Sequence, residues 1–308
     1  MSAPAAAVTS PRSALVTGAS GFVGAALARR LAADGWHVHL LLRAGSDAGD
    51  LERIGPQVRT HRHDGSTLQL VDLMRDAAPQ AVFHLASLCL TQHTPADVER
   101  LIQSNLLFST QLAEAMAVNQ VRWLVNTGTS WQHYDNGGYN PVCLYAATKE
   151  ALNALLRYYV ECHGLQVVTL KLFDTYGPGD TRPKMLNLLR RIALEGTSLA
   201  MTPGEQQVDL VHVDDVVNAF VLAYEELAAG RQPQPMAEYG VSSGQPLRLR
   251  DLAALYAEVS GKPLAIEWGG RDYRPREIMV PWDGYETVPG WKPQVDLATG
   301  LARFHQDK

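Results

Sequence analysis

The chain has 308 residues, 46% of them hydrophobic and 19% charged, with a formal net charge of −5. That balance marks a globular protein with enough apolar material for one large domain or two lobes. Acidic and basic residues are interspersed rather than blocked, so no basic face is offered to nucleic acid or to an anionic membrane.

In chain order, the opening MSAPAAAVTSPRS lacks a basic start followed by an apolar run, and residues 1–12 are expected to form a mobile arm. From Ser13 short apolar runs alternate with helical stretches. ALVTGAS leads into GFVGAALARRLAADG, where Val23, Leu27 and Leu31 keep helical spacing and Gly35 stops the helix; HVHLLLR follows as a second strand. The alternation continues through QLVDLMRDAAP, AVFHLA, a helical stretch from about Asp97 to Asn119, RWLVNTG, a helix opening near Leu144, and LQVVTLKLF. Strands alternating with helices of this length predict an α/β fold, a Rossmann-type doubly wound parallel sheet. After Phe173, turn clusters and shorter elements predict a smaller, discontinuous α/β substrate lobe. The expected division gives residues 13–173 plus about 213–243 to the main-sheet domain, with about 174–212 and 244–308 in the lobe. DDVVNAFVLAYEEL is an amphipathic helix with an acidic first turn, and AEYGVSS is expected to rejoin the main sheet as an added strand. No later segment approaches the about 20 apolar residues of a membrane span. The three cysteines, Cys89, Cys143 and Cys162, show no Cys-x-x-Cys spacing, which fits a reducing cytoplasm and neither a zinc site nor a disulfide framework.

TGASGFVG follows a strand and opens a helix, with Gly18, Gly21 and Gly24 spaced three apart. The first glycine suits a tight turn, the second the approach of a pyrophosphate, and the third close packing of helix on strand, while the helix N-terminus offers free N–H groups to the anion. The second strand ends at Arg43, where an acid would accept from a ribose 2′-hydroxyl and an arginine would pair with a 2′-phosphate. NADP(H) is therefore expected over NAD(H), with a solvated strand-end arginine as the alternative reading. Asp64 could accept from the adenine amino group or merely shape a turn.

Tyr145 and Lys149 stand four apart at the start of a helix, on one face. An ammonium beside a phenol stabilises phenolate, so the spacing predicts a Tyr145 acidified from its usual value of about 10. Thr129 and Ser130, just past a strand's carboxyl end, fall where an open α/β sheet binds its ligand, and either hydroxyl could hold a carbonyl oxygen while Tyr145 moves its proton. His84 is expected to be a packed strand histidine. His93 and Cys89 lie nearer the substrate mouth.

With these motifs together, the chain resembles the extended short-chain dehydrogenase/reductase family of NAD(P)-dependent epimerases, dehydratases and reductases that act on nucleotide sugars. TGASGFVG, FHLAS, Asn105, NTGTSWQHY, YAATK, KLFDTYGPGD and DLVHVDDV carry the resemblance over nearly the whole chain. It implies cofactor contacts from Gly18, Ser20, Gly21, Phe22, Val23, Gly24, Arg43, Asp64, Gly65, Leu85, Ala86, Ser87, Asn105, Thr127, Tyr145, Lys149, Leu172, Asp174 and Thr175. Counted back four positions from Tyr134, Ser130 is the expected catalytic hydroxyl, with Thr129 second. The 4,6-dehydratases carry Asp-Glu after that hydroxyl, whereas this chain has Trp131 and Gln132, neither an acid nor a base. Asp174 stands where Asn is frequent, and Val208 where many members have Arg.

The narrower resemblance is to reductases of nucleotide 4-keto-6-deoxy sugars, the branch of CDP-abequose synthase. It implies hydride transfer from NADPH to a ketone with Tyr145 as proton donor and Lys149 holding the ribose. Substrate contacts are expected from Ser130, Trp131, Asp174, Arg182, Lys184, Arg274 and Arg276, and a homodimer from the apolar faces of the helices near Asp97 and Leu144. An epimerase, a reductase of a non-sugar ketone, and a dinucleotide-binding sensor are the alternatives. No metal, nucleic acid or membrane partner is expected.

Overall fold

The computed structural model describes residues 12–307. β1 (Ser13–Thr17) is buried on both faces, as a strand inside a covered parallel sheet must be. A tight loop joins it to α1 (Phe22–Ala33), whose Leu27, Ala28 and Leu31 turn one buried stripe to the sheet. β2 (His37–Arg43), β3 (Val58–His63), α2 (Thr67–Ala77) and β4 (Ala81–His84) complete the first half. The helix expected near Asp97 spans 98–118 as α3 (Val98–Ile102) and α4 (Phe108–Val118), separated by a π-turn at Gln103–Leu107. β5 (Trp123–Thr129), α5 (Leu144–His163) and β6 (Gln166–Leu172) follow.

Beyond β6 the chain leaves the sheet through β7 (Asp174–Tyr176), α6 (Met185–Glu195), β8 (Leu199–Met201), β9 (Gln207–Val208) and β10 (Leu210–His212). It returns with α7 (Val213–Ala228) and β11 (Met236–Val241), then ends in β12 (Leu247–Arg248), α8 (Leu249–Ser260), β13 (Ile266–Trp268) and α9 (Leu297–Gln306). The AEYGVSS segment thus supplies β11, which lies parallel to β6 with Tyr239 opposite Leu170. The seven-stranded sheet has the order β3-β2-β1-β4-β5-β6-β11 with every pair parallel. Chain direction across the sheet reverses between β1 and β4, so the carboxyl ends of those strands open the crevice where a ligand enters.

Alternation along each strand separates two cores. Val16, Leu40, Phe83, Val125 and Val168 face α1 and α7, whereas Leu15, Leu41, Val82, Leu124 and Val167 face α2, α4 and α5. A third core, around Tyr176, Leu189, Leu252, Tyr256 and Phe304, holds the lobe together. The lobe is not cleanly separate: Val288 and Trp291, on its late segment, are buried in the sheet's own core, and Trp291 Nε1 donates to the Asp215 carbonyl over 2.9 Å. The expected arm lies outside the described residues except Arg12, which is held rather than loose: its guanidinium sits 4.7 Å from the Trp36 ring and its carbonyl accepts from His37 N. Among the described residues no helix is long and apolar enough to cross a membrane.

Candidate active site

The loop between β1 and α1 is shaped by what it cannot hold. Gly18 has φ +73°, and a Cβ there would lie 2.6 Å from Ala86 N; a Cβ on Gly24 would lie 2.2 Å from the Gly18 carbonyl oxygen. Both positions exclude a side chain on steric grounds, and Gly18 also needs glycine's backbone freedom. Ser20 and Gly21 stay exposed at the mouth of the loop, and Phe22 and Val23 open α1. Thr17 Oγ1 fastens the facing strand end by accepting from Leu85 N at 3.2 Å and Ala86 N at 3.1 Å. Its own proton goes to His84 Nδ1, 2.8 Å away, and His84 Nε2 reaches Ser109 Oγ at 2.8 Å. Burial, with Lys149 nearby, depresses the His84 pKa to about 3, so this histidine is a neutral strut, as expected.

Arg43 stands exposed at the end of β2, in register with His63, and its carbonyl accepts from Ser46 N across a short turn. Asp64 caps its own loop by accepting from Ser66 N at 2.8 Å, and the Gly65 carbonyl accepts from Gln111. Asn105 lies in the π-turn with every polar position engaged. Its Oδ1 accepts from Ser87 Oγ and Leu88 N, and its Nδ2 donates to the Leu88 carbonyl and Thr148 Oγ1. Asn105 thereby ties the loop after β4 to the residue preceding Lys149. Thr127 Oγ1 similarly bonds the His84 carbonyl, and Thr175 Oγ1 the Phe173 carbonyl.

Tyr145 and Lys149 occupy the first turns of α5, 8% and 2% exposed, with Lys149 Nζ 5.9 Å from the Tyr145 ring centroid. The hydroxyl that reaches Tyr145 belongs to Thr129 rather than Ser130. Thr129 ends β5 and its Oγ1 accepts from Trp131 N at 3.3 Å, which leaves its proton free for Tyr145. Ser130 is buried one residue further on, where the chain turns into a short 3-10 segment. The residues directly after Thr129 are Ser130 and Trp131, again neither an acid nor a base.

The expected acidification of Tyr145 is not what burial produces. Desolvation pushes the phenol well above its usual range, with Cys89 and Cys143 adding to the rise and Thr129 opposing it. Lys149 is itself so enclosed that its pKa falls to about 8, which weakens it as a source of positive charge. Cys89 lies near the substrate mouth as expected from the sequence, whereas Cys143 is a neighbour of Tyr145 that the sequence does not signal. Cys143 caps α5 two residues before Tyr145, and Cys89 follows the FHLAS run.

The mouth gathers Lys184, whose Nζ lies 3.3 Å from Asp174 Oδ1, and Arg274, which faces Cys143 and Asp174 while forking onto Glu277 at 2.9 and 2.7 Å. Arg182, an expected substrate contact, is also engaged within the protein. Two of its nitrogens bind Asp180 at 2.7 Å each, one also reaches the Thr175 carbonyl, and the guanidinium lies 4.6 Å from the Phe22 ring. Arg276 stacks 4.2 Å from the Tyr134 ring and bonds Asn140 Oδ1 on the rim. Trp131 is half-buried.

With this geometry in place, comparison with known proteins is specific. The model of the NAD dependent epimerase/dehydratase family matches residues 14–237, and the chain belongs to that family. CDP-abequose synthase of Salmonella typhimurium strain LT2 is 26% identical over 93% of this chain and 95% of its own length. UDP-glucose 4-epimerase of Mycolicibacterium smegmatis is 28% identical over 94% and 96%. Among solved structures, MoeE5 in complex with UDP-glucose and NAD superposes with a TM-score of 0.80 at 26% identity, over 96% of this chain and 97% of that one. The protein is an NAD(P)-dependent oxidoreductase of the extended short-chain dehydrogenase/reductase class.

Proposed function

We propose that the protein is an NADPH-dependent ketoreductase that converts the 4-keto group of a nucleotide-linked 4-keto-6-deoxyhexose to a hydroxyl. The observation that carries this reading is the buried Thr129–Tyr145–Lys149 group with no carboxylate following Thr129, a site equipped to give one proton to an oxygen and not to eliminate water. Likeness to CDP-abequose synthase supports the same class of substrate.

The chain's own features fit a dinucleotide. The Gly18–Gly24 loop leaves a cradle that a Cβ would fill, backed by the α1 N-terminus, and Arg43 stands where a 2′-phosphate would be read. Gly18, Gly21 and Gly24 would hold the pyrophosphate, Asp64 the adenine, and Lys149 the nicotinamide ribose. When bound, the reduced cofactor supplies a hydride. Thr129 orients the substrate oxygen and Tyr145 protonates it. A phenol kept neutral by burial is already in the form that a reduction needs. Lys184 and Arg274, at the mouth, suit the nucleotide diphosphate.

A second reading, a nucleotide-sugar epimerase, has the 28% identity to UDP-glucose 4-epimerase in its favour and uses the same tyrosine. The deciding experiment measures NADPH and NADH consumption against a panel of nucleotide 4-keto-6-deoxy sugars, with product stereochemistry read by NMR. Stoichiometric NADPH loss supports the reductase. Interconversion of sugars without net cofactor loss establishes the epimerase.

We further infer a homodimer. Val98, Ile102, Leu107, Leu155 and Tyr158 are exposed on the helices 98–118 and α5, an apolar face suited to a second copy. Light scattering should give a dimeric mass, and a monomer at working concentration rejects this assembly.

A further inference from the structure

We propose that Gln132 is a positioning residue whose carboxamide locks the strand end carrying Thr129 to the helix carrying Tyr145 and Lys149. The inference rests on the reading that these three groups manage the substrate oxygen.

Gln132 is 0% exposed. Its Oε1 accepts from the backbone N–H of Thr129 at 2.9 Å, and its Nε2 donates to Glu150 Oε2 at 2.6 Å. Glu150 directly follows Lys149 on α5, so one side chain bridges the two elements that meet at the site. Together with the Thr129 hydroxyl, which accepts from the turn's backbone, Gln132 completes a reciprocal capping box at the end of β5. The turn that results fixes Thr129 beside Tyr145, the phenol its hydroxyl bonds.

The orientation of the amide is dictated by its partners. A backbone N–H can only donate and a carboxylate can only accept, so oxygen must face Thr129 and nitrogen must face Glu150. Glu150 is in turn held in a polar chain beneath the site. Asn153 Nδ2 donates to Glu150 at 3.4 Å and to Glu238 Oε1 at 2.6 Å, and Glu238 Oε2 pairs with Lys171 Nζ at 2.6 Å. Lys171 Nζ donates to His133 Nε2 at 2.9 Å, while His133 Nδ1 donates to the Gly137 carbonyl. Glutamine is thus the residue type this junction demands. A carboxylate at 132 would meet the Glu150 carboxylate at hydrogen-bonding distance, and an apolar side chain would leave the buried Thr129 N–H without a partner.

The test compares Q132E with the swapped pair Q132E/E150Q, which restores one donor and one acceptor in the reverse order. Four readouts are taken: kcat and KM on the ketone turned over by the parent, melting temperature, NADPH affinity, and the titration midpoint of Tyr145 by 13Cζ-tyrosine NMR, assigned with Y145F. In Q132E two carboxylates must share one proton. Above the pH at which that proton leaves, kcat should fall about a hundredfold with KM nearly unchanged, as for a misplaced reacting group. The Tyr145 midpoint should rise as Thr129 is lost as a donor, and the swapped pair should recover both. Should Q132E fail to fold, Q132M is expected to show the same fall in kcat and rise in midpoint. The proposal is overturned if Q132E or Q132M keeps the parent's kcat between pH 6 and 9 together with the parent's Tyr145 midpoint, which is followed into the alkaline range. It is equally overturned if the swapped pair stays as impaired as Q132E while matching the parent in melting temperature and NADPH affinity. Because the Tyr145 midpoint needs no substrate, a parent inactive on every ketone would reject the functional reading yet still leave the role of Gln132 decidable.

Discussion

The glycine loop after β1 and the Thr129–Tyr145–Lys149 cluster, both at the carboxyl ends of the same sheet, are built from different materials. Around Gly18 and Gly24 the geometry is set by backbone and by the absence of side chains: a Cβ at either position runs into main-chain atoms. Around Tyr145 it is set by side chains that hold one another, with Thr129 fixed by Gln132, Gln132 by Glu150, and Lys149 placed one turn from Tyr145 on α5. The first construction resists nearly every substitution because backbone cannot move aside. The second tolerates exchange wherever donors and acceptors still match, and it is sensitive to a single misplaced proton.

The sharpest way to separate the two is to damage one and measure the other. Tyr145→Phe removes only the phenolic oxygen. It should reduce turnover by at least about a thousandfold, in line with loss of a general acid, while NADPH affinity changes little; wild-type activity in this variant would remove the assignment. Gly24→Ala attacks the opposite side. With a Cβ 2.2 Å from the Gly18 carbonyl, α1 must shift away from its strand, and cofactor affinity should fall about tenfold to a hundredfold while the Tyr145 midpoint stays near the parent's. Fluorescence titration with NADPH checks this, and unchanged affinity would mean that the loop does not hold the pyrophosphate.

The same contrast explains what could be read from the sequence. The strand–helix alternation, the glycine loop and the return of AEYGVSS to the sheet follow from periodicity and from sterics local to a few residues, and each is legible in one dimension. The choice between Thr129 and Ser130 is not. Successive strand residues point to opposite faces, so a slip of one position exchanges the residue that faces the site. Counting back from Tyr134 points to Ser130, whereas the capping box formed by Thr129 and Gln132 closes β5 at Thr129. Its T-x-x-Q spelling was present in TSWQ, and it is a signal that could have decided the register. Asn105 and Arg182 show another limit: both are polar residues near the site, and only the fold shows how much of their hydrogen-bonding capacity is used internally. The Tyr145 shift runs opposite to what spacing predicts, because spacing reports the ammonium four residues away and says nothing of burial.

Arg43 offers a milder test of the backbone-built half, because it is an exposed side chain at the rim of that half. Arg43→Asp should move the preference from NADPH toward NADH by about tenfold or more in the ratio of kcat/KM, since a carboxylate repels a 2′-phosphate and accepts from a 2′-hydroxyl. An unchanged ratio would mean that the 2′ position is read elsewhere.

The smallest effect concerns His84, which joins the two constructions by bonding Thr17 under the loop and Ser109 on α4. Its pKa drops from 6.5 to about 3 in the folded chain, chiefly because burial penalises the imidazolium. The unfolded chain therefore binds a proton at a pH where the native one does not. Above pH 6.5 the residue is neutral in both states and contributes no slope. As pH falls from 6.5 toward 3, stability should be lost at up to the order of 1 kcal/mol per pH unit from this residue. His39, depressed to about 4, and His61 and His63, also lowered by burial, act in the same direction, so the parent's melting temperature should fall steeply on mild acidification. His84→Asn should melt lower at neutral pH, having lost part of the Thr17–Ser109 bridge, yet show a shallower decline between pH 6.5 and 4. Parallel curves for parent and variant would mean that His84 takes up its proton in the native state, and the strut would then be charged rather than neutral.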